Sequence, residues 1–293
     1  MNFIIIPARS GSKRIKNKNI KKFLGVPIIE QTIKNLKKIK FKKRIIVSTD
    51  SKKIASIARK AGAEVPFVRP KNISGNSIST YDVMKHATDF LVKKKYKVDH
   101  VCCVYPTSVF VEKKYLVAGL NKIKKKNYDY VFSVRKADRS IEKFFGIEKN
   151  GEIKLLDPRF EFTRSQDLKT YFTDAAQFWW GKIEFWNKKR SIYHSKSSVI
   201  TIPNWKVHDI DTLEDWKRAE VLMKSIKKKN NKNLKKNLKI ISQIEKLRSK
   251  NNSNWMDIVR VALKHAPKDS AKIVQEILSM DSKIHKVAKK LIE

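Results

Sequence analysis

The 293-residue sequence is poor in cysteine, in acidic residues and in long apolar runs. Its two cysteines, Cys102 and Cys103, are neighbours that cannot readily bridge each other and have no partners at metal-ligand spacing, so we expect buried free thiols. Because no uncharged apolar run reaches about 18 residues, no membrane span is expected. The apolar stretch near the N-terminus is too short for a secretion signal, and a cytoplasmic location is therefore expected.

The shortage of acidic residues leaves a formal net charge of +39, from 67 Lys and Arg against 28 Asp and Glu. Clustered basic residues would indicate nucleic-acid binding, since they neutralise phosphates. Here the charge is nearly all lysine and is spread over almost every predicted helix and loop, whereas arginine, which recognises phosphate in a forked geometry, is scarce. The pattern favours a solvated lysine-rich surface, and binding of a polyanion remains the alternative.

Apolar strands alternate with amphipathic helices through the first 230 residues. Continuous apolar strands separated by helices are typical of an α/β fold with a mostly parallel sheet covered by helices on both faces. The strands are expected at 3–6, 44–50, 64–68, 100–106, 130–134 and 199–203, and the helices at 27–39, 51–62, 79–94, 112–125 and 212–226. Residues 144–183 contain a predicted hairpin, FFGIEKNGEIKLL, and an aromatic strand, QFWWG, and we expect this block to leave the main sheet.

The composition changes at Lys227. Residues 227–250 are rich in Lys and Asn with few apolar side chains, which indicates a linker or a highly charged helix. Residues 251–293 show apolar positions at helical spacing and predict a small helical appendage, a candidate protein-interaction module. The chain is thus predicted to hold one domain over 1–226, a linker and this appendage.

The loop that follows the first strand carries the strongest chemical signal. In open α/β sheets ligands bind at the carboxyl ends of the strands, and residues 7–19 lie at that position. Gly11 and Ser12 allow backbone N–H groups to approach phosphate oxygens, while Arg9, Lys13 and Lys18 supply positive charge. The phosphate-binding patterns of P-loop and dinucleotide-binding proteins are both absent. By its chemistry alone this is an anion-binding loop.

Downstream of the loop, Asp209 and Asp211 follow the last predicted strand, on one face if the segment is extended. Two carboxylates together with phosphate oxygens and water suit octahedral Mg²⁺. The alternative is that one of them caps the helix that begins near Thr212. His208 precedes the pair, and we expect a hydrogen-bonded bystander rather than a general base.

The segment PARSGSKRIKNKNIKKFLGVPII (7–29) resembles the signature opening of the acylneuraminate (CMP-sialic acid type) cytidylyltransferases. Similarity extends over residues 1–226, through RIIVSTDSKKIASIARKAGAEVPFVRP (44–70), YPTS (105–108), RSQDL (164–168) and HDIDTLEDW (208–216). The stretch RSQDLKTYFTDAAQFWWG (164–181) looks closest to the pseudaminic acid cytidylyltransferase branch. Tyr105 replaces a glutamine that helps to hold the sugar in sialic acid enzymes, which weakens the case for N-acetylneuraminate itself.

The resemblance implies CMP transfer from CTP to the anomeric hydroxyl of a nine-carbon acidic sugar, with release of pyrophosphate, for surface glycan biosynthesis. It also implies Mg²⁺ as cofactor and a homodimer in which the block near 140–190 reaches the partner. The implied catalytic residues are Arg9, Lys18, Asp209 and Asp211, of which the two aspartates hold the metal. The implied nucleotide-binding residues are Ala8, Arg9, Gly11, Ser12, Lys18, Asn19 and Arg69, and the implied sugar-binding residues are Tyr105, Arg164, Gln166 and Gln177.

Two other functions stay open at this point. One is another sugar nucleotidylyltransferase, which would activate 3-deoxy-manno-octulosonate or N-acetylneuraminate. The other is a basic polyanion-binding protein, although the scarcity of arginine makes a nucleic-acid partner unexpected.

Overall fold

Short apolar strands separated by helices build the fold, as the sequence predicts. The computed structural model describes residues 2–193 and 195–228 and the single positions 239, 242, 243 and 246. The chain divides into two units, Met1–Glu220 and Val221–Glu293, and the elements below lie in the first. The predicted linker and appendage fall almost entirely outside the described residues, so these two predictions stay predictions.

The strands are β1 (Asn2–Pro7), β2 (Lys22–Phe23), β3 (Val26–Pro27), β4 (Lys43–Ser48), β5 (His100–Val104), β6 (Tyr130–Lys136), β7 (Phe145–Ile147), β8 (Ile153–Leu155), β9 (Phe172–Lys182) and β10 (Ser197–Thr201). The helices are α1 (Ile28–Lys38), α2 (Lys52–Lys60), α3 (Thr80–Lys93), α4 (Lys113–Lys126) and α5 (Ile183–Asn187). Short 3-10 turns occur at Lys18–Ile20, Lys71–Ile73, Ile141–Lys143, Pro158–Phe160, Ser165–Asp167 and Asn204–Lys206. Residues 213–220 are helical and close the first unit.

Six strands form the central sheet in the order β10-β6-β9-β5-β1-β4. β1 runs parallel to β4 and β5, and β10 runs parallel to β6, whereas β9 is antiparallel to both of its neighbours. The expected mostly parallel sheet is therefore confirmed. Its consequence for the site is that the carboxyl ends of β1, β4, β5, β6 and β10 share one edge with the beginning of β9.

Helices cover both faces of this sheet, as predicted. Side chains alternate along β1, so that Ile4 and Ile6 pack with α1, α2 and α4, while Phe3 and Ile5 pack with α3 and α5. Each fully buried side chain of this size contributes about 1.5–3 kcal/mol of hydrophobic free energy. Gly119 in α4 lets the helix approach β9 closely, because an added Cβ would lie 2.8 Å from the Trp180 ring.

Serine side chains cap the N-termini of α2 and α3. The Ser51 hydroxyl accepts a hydrogen bond from the Ile54 N–H at 3.3 Å and begins α2. Ser79 and Asp82 form a reciprocal capping box at the start of α3. Cys102 and Cys103 are buried free thiols on opposite faces of β5, as expected.

The predicted strand at 64–68 is wrong. Only Glu64 joins the sheet, through backbone hydrogen bonds with Ile45 and Val47 on β4. Pro66 follows two residues later and has no N–H to donate, so the ladder ends there.

The block at 144–183 behaves in two ways. Its predicted hairpin is present, with β7 and β8 paired outside the main sheet. The aromatic strand, however, does not leave the main sheet, because it forms part of β9 between β5 and β6. Phe178 and Trp180 on one face and Trp179 on the other are all buried, so a run of apolar residues fits a strand covered on both sides.

In the part of the chain that the structure describes, none of the helices combines the length and the apolar character needed to cross a membrane.

Candidate active site

A cavity of about 460 Å³ opens at the carboxyl-end edge of the sheet, beside β1, β5 and the start of α3. This is where an α/β sheet binds its ligands, because loops from several strands converge there. The predicted site residues that line it are Arg9, Ser12, Lys18, Asn19, Arg69, Tyr105, Asp209 and Asp211. Residues from distant parts of the sequence thus meet in one concave surface.

The loop after β1 is fastened to the end of β4. The Ala8 N–H donates to the Ser48 carbonyl at 2.9 Å, which extends the pairing of the two strands. Beyond it, the Ser10 N–H and hydroxyl donate to the Asp50 carboxylate at 2.9 and 2.6 Å. Ala8 is fully buried, and neither it nor Gly11 lines the cavity. The structure therefore gives Ala8 a position in the core beneath the loop.

Arg9 and Asn19 are held by each other and by a second loop. The Asn19 side chain, which is buried, donates to the Arg9 carbonyl at 2.9 Å. The Arg9 guanidinium donates to the Gly75 carbonyl at 2.9 Å. These two bonds place a cation on the cavity wall and keep the loop from collapsing into the site.

Arg69 is a buried cation with an unused donor. Its side chain is only 2% exposed, and its Nε donates to the Ser74 hydroxyl at 3.2 Å. Its Nη2 has no hydrogen-bond partner and lies 3.8 Å from an Asp50 oxygen. Burial lowers the pKa of Arg69, the Asp50 charge opposes this, and the Arg9 charge adds to it. A buried unsatisfied donor is costly, so this position favours an acceptor atom from a ligand.

Asp211 is paired with two cations. Lys18 Nζ lies 3.1 Å from one carboxylate oxygen and also donates to the Ile210 carbonyl at 2.8 Å. Arg14 Nη1 lies 2.8 Å from the other oxygen. Arg14 also lines the cavity, so the segment 208–211 is tied to the loop after β1.

Asp209 differs from Asp211 in having no ion pair with any cation in the described residues. It is open to the cavity, but surrounding protein atoms strip part of its hydration and raise its pKa. The Asp211 charge raises it further, and Lys18 and Arg14 act in the opposite direction. A carboxylate in this state gains from the approach of a cation.

Neither of these aspartates caps the following helix. That role belongs to Thr212, and the Asp215 carboxylate accepts from the Thr212 N–H and hydroxyl, both at 2.8 Å. The Thr212 hydroxyl in turn accepts from the Asp215 N–H at 3.1 Å. The alternative considered for the aspartate pair is thus met by another residue, and neither carboxylate is used as a helix cap.

The donor set fits a metal that brings most of its own ligands. Among the residues that the structure describes, no group of three or more His, Cys, Asp and Glu could hold a metal ion. Mg²⁺ does not need such a cage, because it keeps several waters and is commonly bound by one or two carboxylates together with substrate phosphates. Asp209 and Asp211 beside a phosphate-binding loop match that requirement.

The four predicted sugar-binding residues are not brought together. Tyr105 lines the cavity, with its hydroxyl 3.4 Å from that of Thr80 and its ring edge-on to Trp179. Arg164 lies on the surface and pairs with Asp167 at 2.9 Å. Gln166 is also exposed, and neither residue lines the cavity in this chain.

Gln177 is turned into the protein by a bulge in β9. The register of β6 against β9 shifts between Phe132 and Val134, and Ala176 adopts a left-handed conformation with φ 49°. As a result Ala176 lines the cavity, whereas the Gln177 side chain is buried and donates to the Lys206 carbonyl at 2.8 Å. The bulge re-aims the side chains, which is its common role near sites.

His208 does not line the cavity. Its Nε2 lies 3.3 Å from the Trp205 carbonyl, and its ring packs against Phe110 at 5.1 Å between centroids. Burial lowers the pKa of His208, with a smaller opposing effect from the Trp205 carbonyl.

Neither Arg14 nor Asp50 was given a role from the sequence: Arg14 lines the cavity, and Asp50 holds the loop after β1 through Ser10. Arg14 stands next to Lys13 in the same basic loop, and nothing in the sequence shows that it reaches Asp211. Asp50 anchors the loop, and its signal was only its position directly after a strand that pairs with β1. Ion pairs between segments about 200 residues apart become visible only in the fold.

The chain is similar to known proteins along most of its length. A family model described as "Cytidylyltransferase" matches residues 3–240. The pseudaminic acid cytidylyltransferase of Campylobacter jejuni subsp. jejuni serotype O:2 is 35% identical over 223 residues, which cover 76% of this chain and 96% of that protein. N-acylneuraminate cytidylyltransferase A of Danio rerio is 31% identical over 226 residues, covering 74% of this chain and 49% of that protein.

Solved structures agree on the fold. A CMP:2-keto-3-deoxy-manno-octonic acid synthetase complexed with CTP superposes with a TM-score of 0.58 at 12% identity, over 76% of this chain and 98% of that one. The 4-diphosphocytidyl-2C-methyl-D-erythritol synthase of Anaerococcus prevotii gives a TM-score of 0.54 at 15% identity, over 76% and 98%. With the cation-lined cavity and the sequence matches, this leads to one conclusion: the chain belongs to the cytidylyltransferase family and is a nucleotidyltransferase.

Proposed function

We propose that the chain transfers CMP from CTP to the anomeric hydroxyl of a nine-carbon acidic sugar of the pseudaminic acid type. The hydroxyl oxygen bonds to the α-phosphorus, the bond from that phosphorus to the β-phosphate oxygen breaks, and pyrophosphate leaves. The hydroxyl proton passes to solvent. The product is a CMP-sugar, the activated form used to build surface glycans.

The observation that carries the proposal is the distribution of charge around the cavity. Arg9, Lys13, Arg14 and Lys18 come from one loop, and Arg69, whose buried Nη2 has no hydrogen-bond partner, lines the same cavity. A triphosphate carries about four negative charges and many acceptor oxygens, so it satisfies these donors together. Positioning and charge neutralisation are the main requirements of phosphoryl-type transfer, and the cavity offers both.

Each cationic group has a separate task in this proposal. Arg9 and Lys18 bind the triphosphate and the departing pyrophosphate, where charge develops. Ser12, Asn19 and Arg69 hold the cytidine side, Arg69 through its unused buried donor. Asp209 and Asp211 would hold Mg²⁺, which supplies Lewis-acid stabilisation of phosphate charge when bound. His208 takes no part, because its ring packs on Phe110 outside the cavity wall.

The acceptor side is supported by the sequence relatives more than by geometry. Two of the relatives, each matched over 96% of its own length, are pseudaminic acid cytidylyltransferases. Tyr105 is the predicted sugar residue that lines the cavity, and Ala176 provides a small side chain next to it. Arg164 and Gln166 contribute only if their exposed loop meets a cavity, either in this chain or in a second copy.

We infer that a second copy of the chain contacts the exposed loop that carries Arg164 and Gln166. Large apolar side chains are exposed on the excursion between β6 and β9, namely Phe144, Phe145, Ile147, Ile153, Leu156 and Phe162. Several large apolar side chains exposed on one segment are typical of an interaction surface. A homodimer formed through this excursion would bury these side chains, and sedimentation of the full chain tests it directly.

A substrate panel tests the function. Pyrophosphate release is measured with CTP, UTP and GTP against pseudaminic acid, N-acetylneuraminate and 3-deoxy-manno-octulosonate, with and without Mg²⁺. We expect turnover with CTP and pseudaminic acid in the presence of Mg²⁺. Turnover with one of the other two sugars would reassign the acceptor, and the absence of any CMP product with every acidic sugar would overturn the proposal.

The polyanion-binding alternative predicts a different result. It requires an affinity for nucleic acid that falls steeply as salt increases. A cytoplasmic location and an interaction role for residues 251–293 remain predictions, and a pull-down with and without that segment tests the second.

A further inference from the structure

The two carboxylates that line the cavity, Asp209 and Asp211, differ in their counterions, and this difference suggests a role for Arg14 in ligand binding. Both oxygens of Asp211 are already occupied by cations, Arg14 on one and Lys18 on the other. Asp209, two residues away, has no ion pair with any cation in the described part of the chain. The cluster of two carboxylates and two cations therefore has a formal charge of zero before any ligand binds.

We propose that Arg14 is a placeholder cation. Arg14 pairs with Asp211 in the free enzyme, moves away when a complex of nucleotide and divalent metal binds, and then binds the triphosphate, so that Asp211 would be available to the metal. The inference rests on the proposed function in one respect, because it takes a metal–nucleotide complex as the ligand.

The exposed fractions of the Lys18 and Arg14 side chains indicate which of these two cations can move. The Lys18 side chain is only 21% exposed and is also fixed by its bond to the Ile210 carbonyl. The Arg14 side chain is 69% exposed and touches Asp211 only at its tip. An exposed arginine has many alternative rotamers and loses little on moving, since exposed ion pairs contribute at most about 1 kcal/mol. Arg14 is therefore the cation that can be displaced.

Electrostatic attraction explains why a metal–triphosphate complex, and not a metal ion alone, displaces Arg14 from Asp211. A metal ion alone meets a neutral cluster in which one carboxylate is already paired, so its binding is weak. A metal–triphosphate complex brings negative charge as well, which attracts the guanidinium of Arg14 away from Asp211. Arg14 already lines the cavity, and a guanidinium fork binds phosphate oxygens bidentately. Release of the Asp211 carboxylate from Arg14 is thus coupled to binding of the nucleotide.

The proposal predicts opposite effects of one substitution on two ligands. Mn²⁺ is used as the metal probe without nucleotide, and free Mn²⁺ is followed by electron paramagnetic resonance. Arg14→Ala is expected to bind Mn²⁺ about tenfold more tightly than the wild type, because a competing charge is removed. The same variant is expected to bind CTP with Mg²⁺ about tenfold more weakly, because a phosphate ligand is lost.

Three controls separate this role from general charge effects. Lys16→Ala removes a positive charge from the same turn but not from the cavity wall, and should change neither affinity. Arg14→Lys keeps the charge and should restore most of the wild-type behaviour towards Mn²⁺. In the double variant Arg14→Ala/Asp211→Asn, the gain in Mn²⁺ affinity should disappear.

Several results would overturn the proposal. These are unchanged or weaker Mn²⁺ binding by Arg14→Ala, a gain that survives Asp211→Asn, unchanged CTP binding, or no Mn²⁺ binding by either protein. None of these measurements uses the sugar. If no acidic sugar is turned over but the Arg14 variants behave as expected, the proposed acceptor fails and the placeholder role stands.

Discussion

The nucleotide side and the acceptor side of the cavity are built in different ways. On the nucleotide side, Arg9, Lys18 and Arg69 lie in loops that directly follow or adjoin β1 and β4, and all three line one cavity. On the acceptor side, Arg164 and Gln166 lie on an exposed 3-10 turn in a long excursion, and Gln177 points inward. The sheet topology therefore positions the first set, whereas the described fold does not bring the second set to the cavity.

The largest effect is expected at the aspartate pair. Asp211→Asn keeps the shape of the side chain but removes the charge that pairs with Lys18 and would hold the metal. We expect kcat/KM to fall by about a thousandfold, which corresponds to about 4 kcal/mol of transition-state stabilisation. Pyrophosphate release measures it, with circular dichroism as the check on folding. A loss below about tenfold would show that this carboxylate does not take part.

A smaller loss is expected for Arg69. Arg69→Lys keeps a positive charge but not the forked donor, so the KM for CTP should rise by about tenfold to a hundredfold while the KM for the sugar stays unchanged. The two KM values are compared at saturating cosubstrate. Equal effects on both substrates would contradict the separation into a nucleotide side and an acceptor side.

The acceptor side is tested with Arg164→Ala. This side chain is 75% exposed, so the substitution should leave the melting temperature unchanged. We expect the KM for the acidic sugar to rise by about tenfold because a carboxylate partner is lost, with the KM for CTP unaffected. Arg159→Ala, another exposed arginine that pairs with a neighbouring aspartate, is the matched control. If the two variants behave alike, Arg164 has no role in sugar binding.

The smallest effect concerns acid stability beneath the nucleotide side. Burial lowers the pKa of His86, Asp89 partly opposes this, and the Arg69 charge adds to it. Below the ordinary histidine pKa of 6.5, the unfolded chain takes up a proton that the folded side chain resists, so stability is lost as the pH falls. Between pH 7 and about 5, the melting temperature of His86→Gln should fall by about 1–3 °C less than that of the wild type. Parallel pH profiles would contradict this assignment.

The sequence predicted the architecture better than it predicted the individual contacts. Continuous apolar runs identified the sheet strands at β1, β4, β5 and β6, because a strand covered on both faces has no polar side. A shorter run identified β10, an edge strand whose side chains are only partly buried or exposed. The same reasoning failed at residues 64–68, where Pro66 ends the pairing after one residue. It also failed for β9, which was expected to leave the main sheet. No local feature of an aromatic run indicates that the chain returns to the middle of the sheet.

In the site, too, local features could be predicted from the sequence and long-range contacts could not. The loop after β1 was recognisable because small and basic residues follow a buried strand, and the fold brings it to Asp209 and Asp211. The pairing of Arg14 with Asp211 was not predictable, because the two residues are separated by 197 positions and no local pattern connects them. Gln177 was misleading for a related reason. The bulge at Ala176 changes the face of the strand on which the Gln177 side chain lies, compared with the simple alternation expected along a strand.

The antiparallel strand β9 also has a consequence for how the chain is made. It is the only hydrogen-bonded link between β5 on one side and β6 on the other within the central sheet of the described residues. A nascent chain that has emerged only as far as residue 171 therefore has an unpaired edge on β5 and two on β6, because β10 also comes later in the sequence, and each edge offers backbone groups to another molecule. Completion of the sheet must wait for β9 and then β10, at residues 172–201, and a stalled or truncated product would aggregate through those open edges.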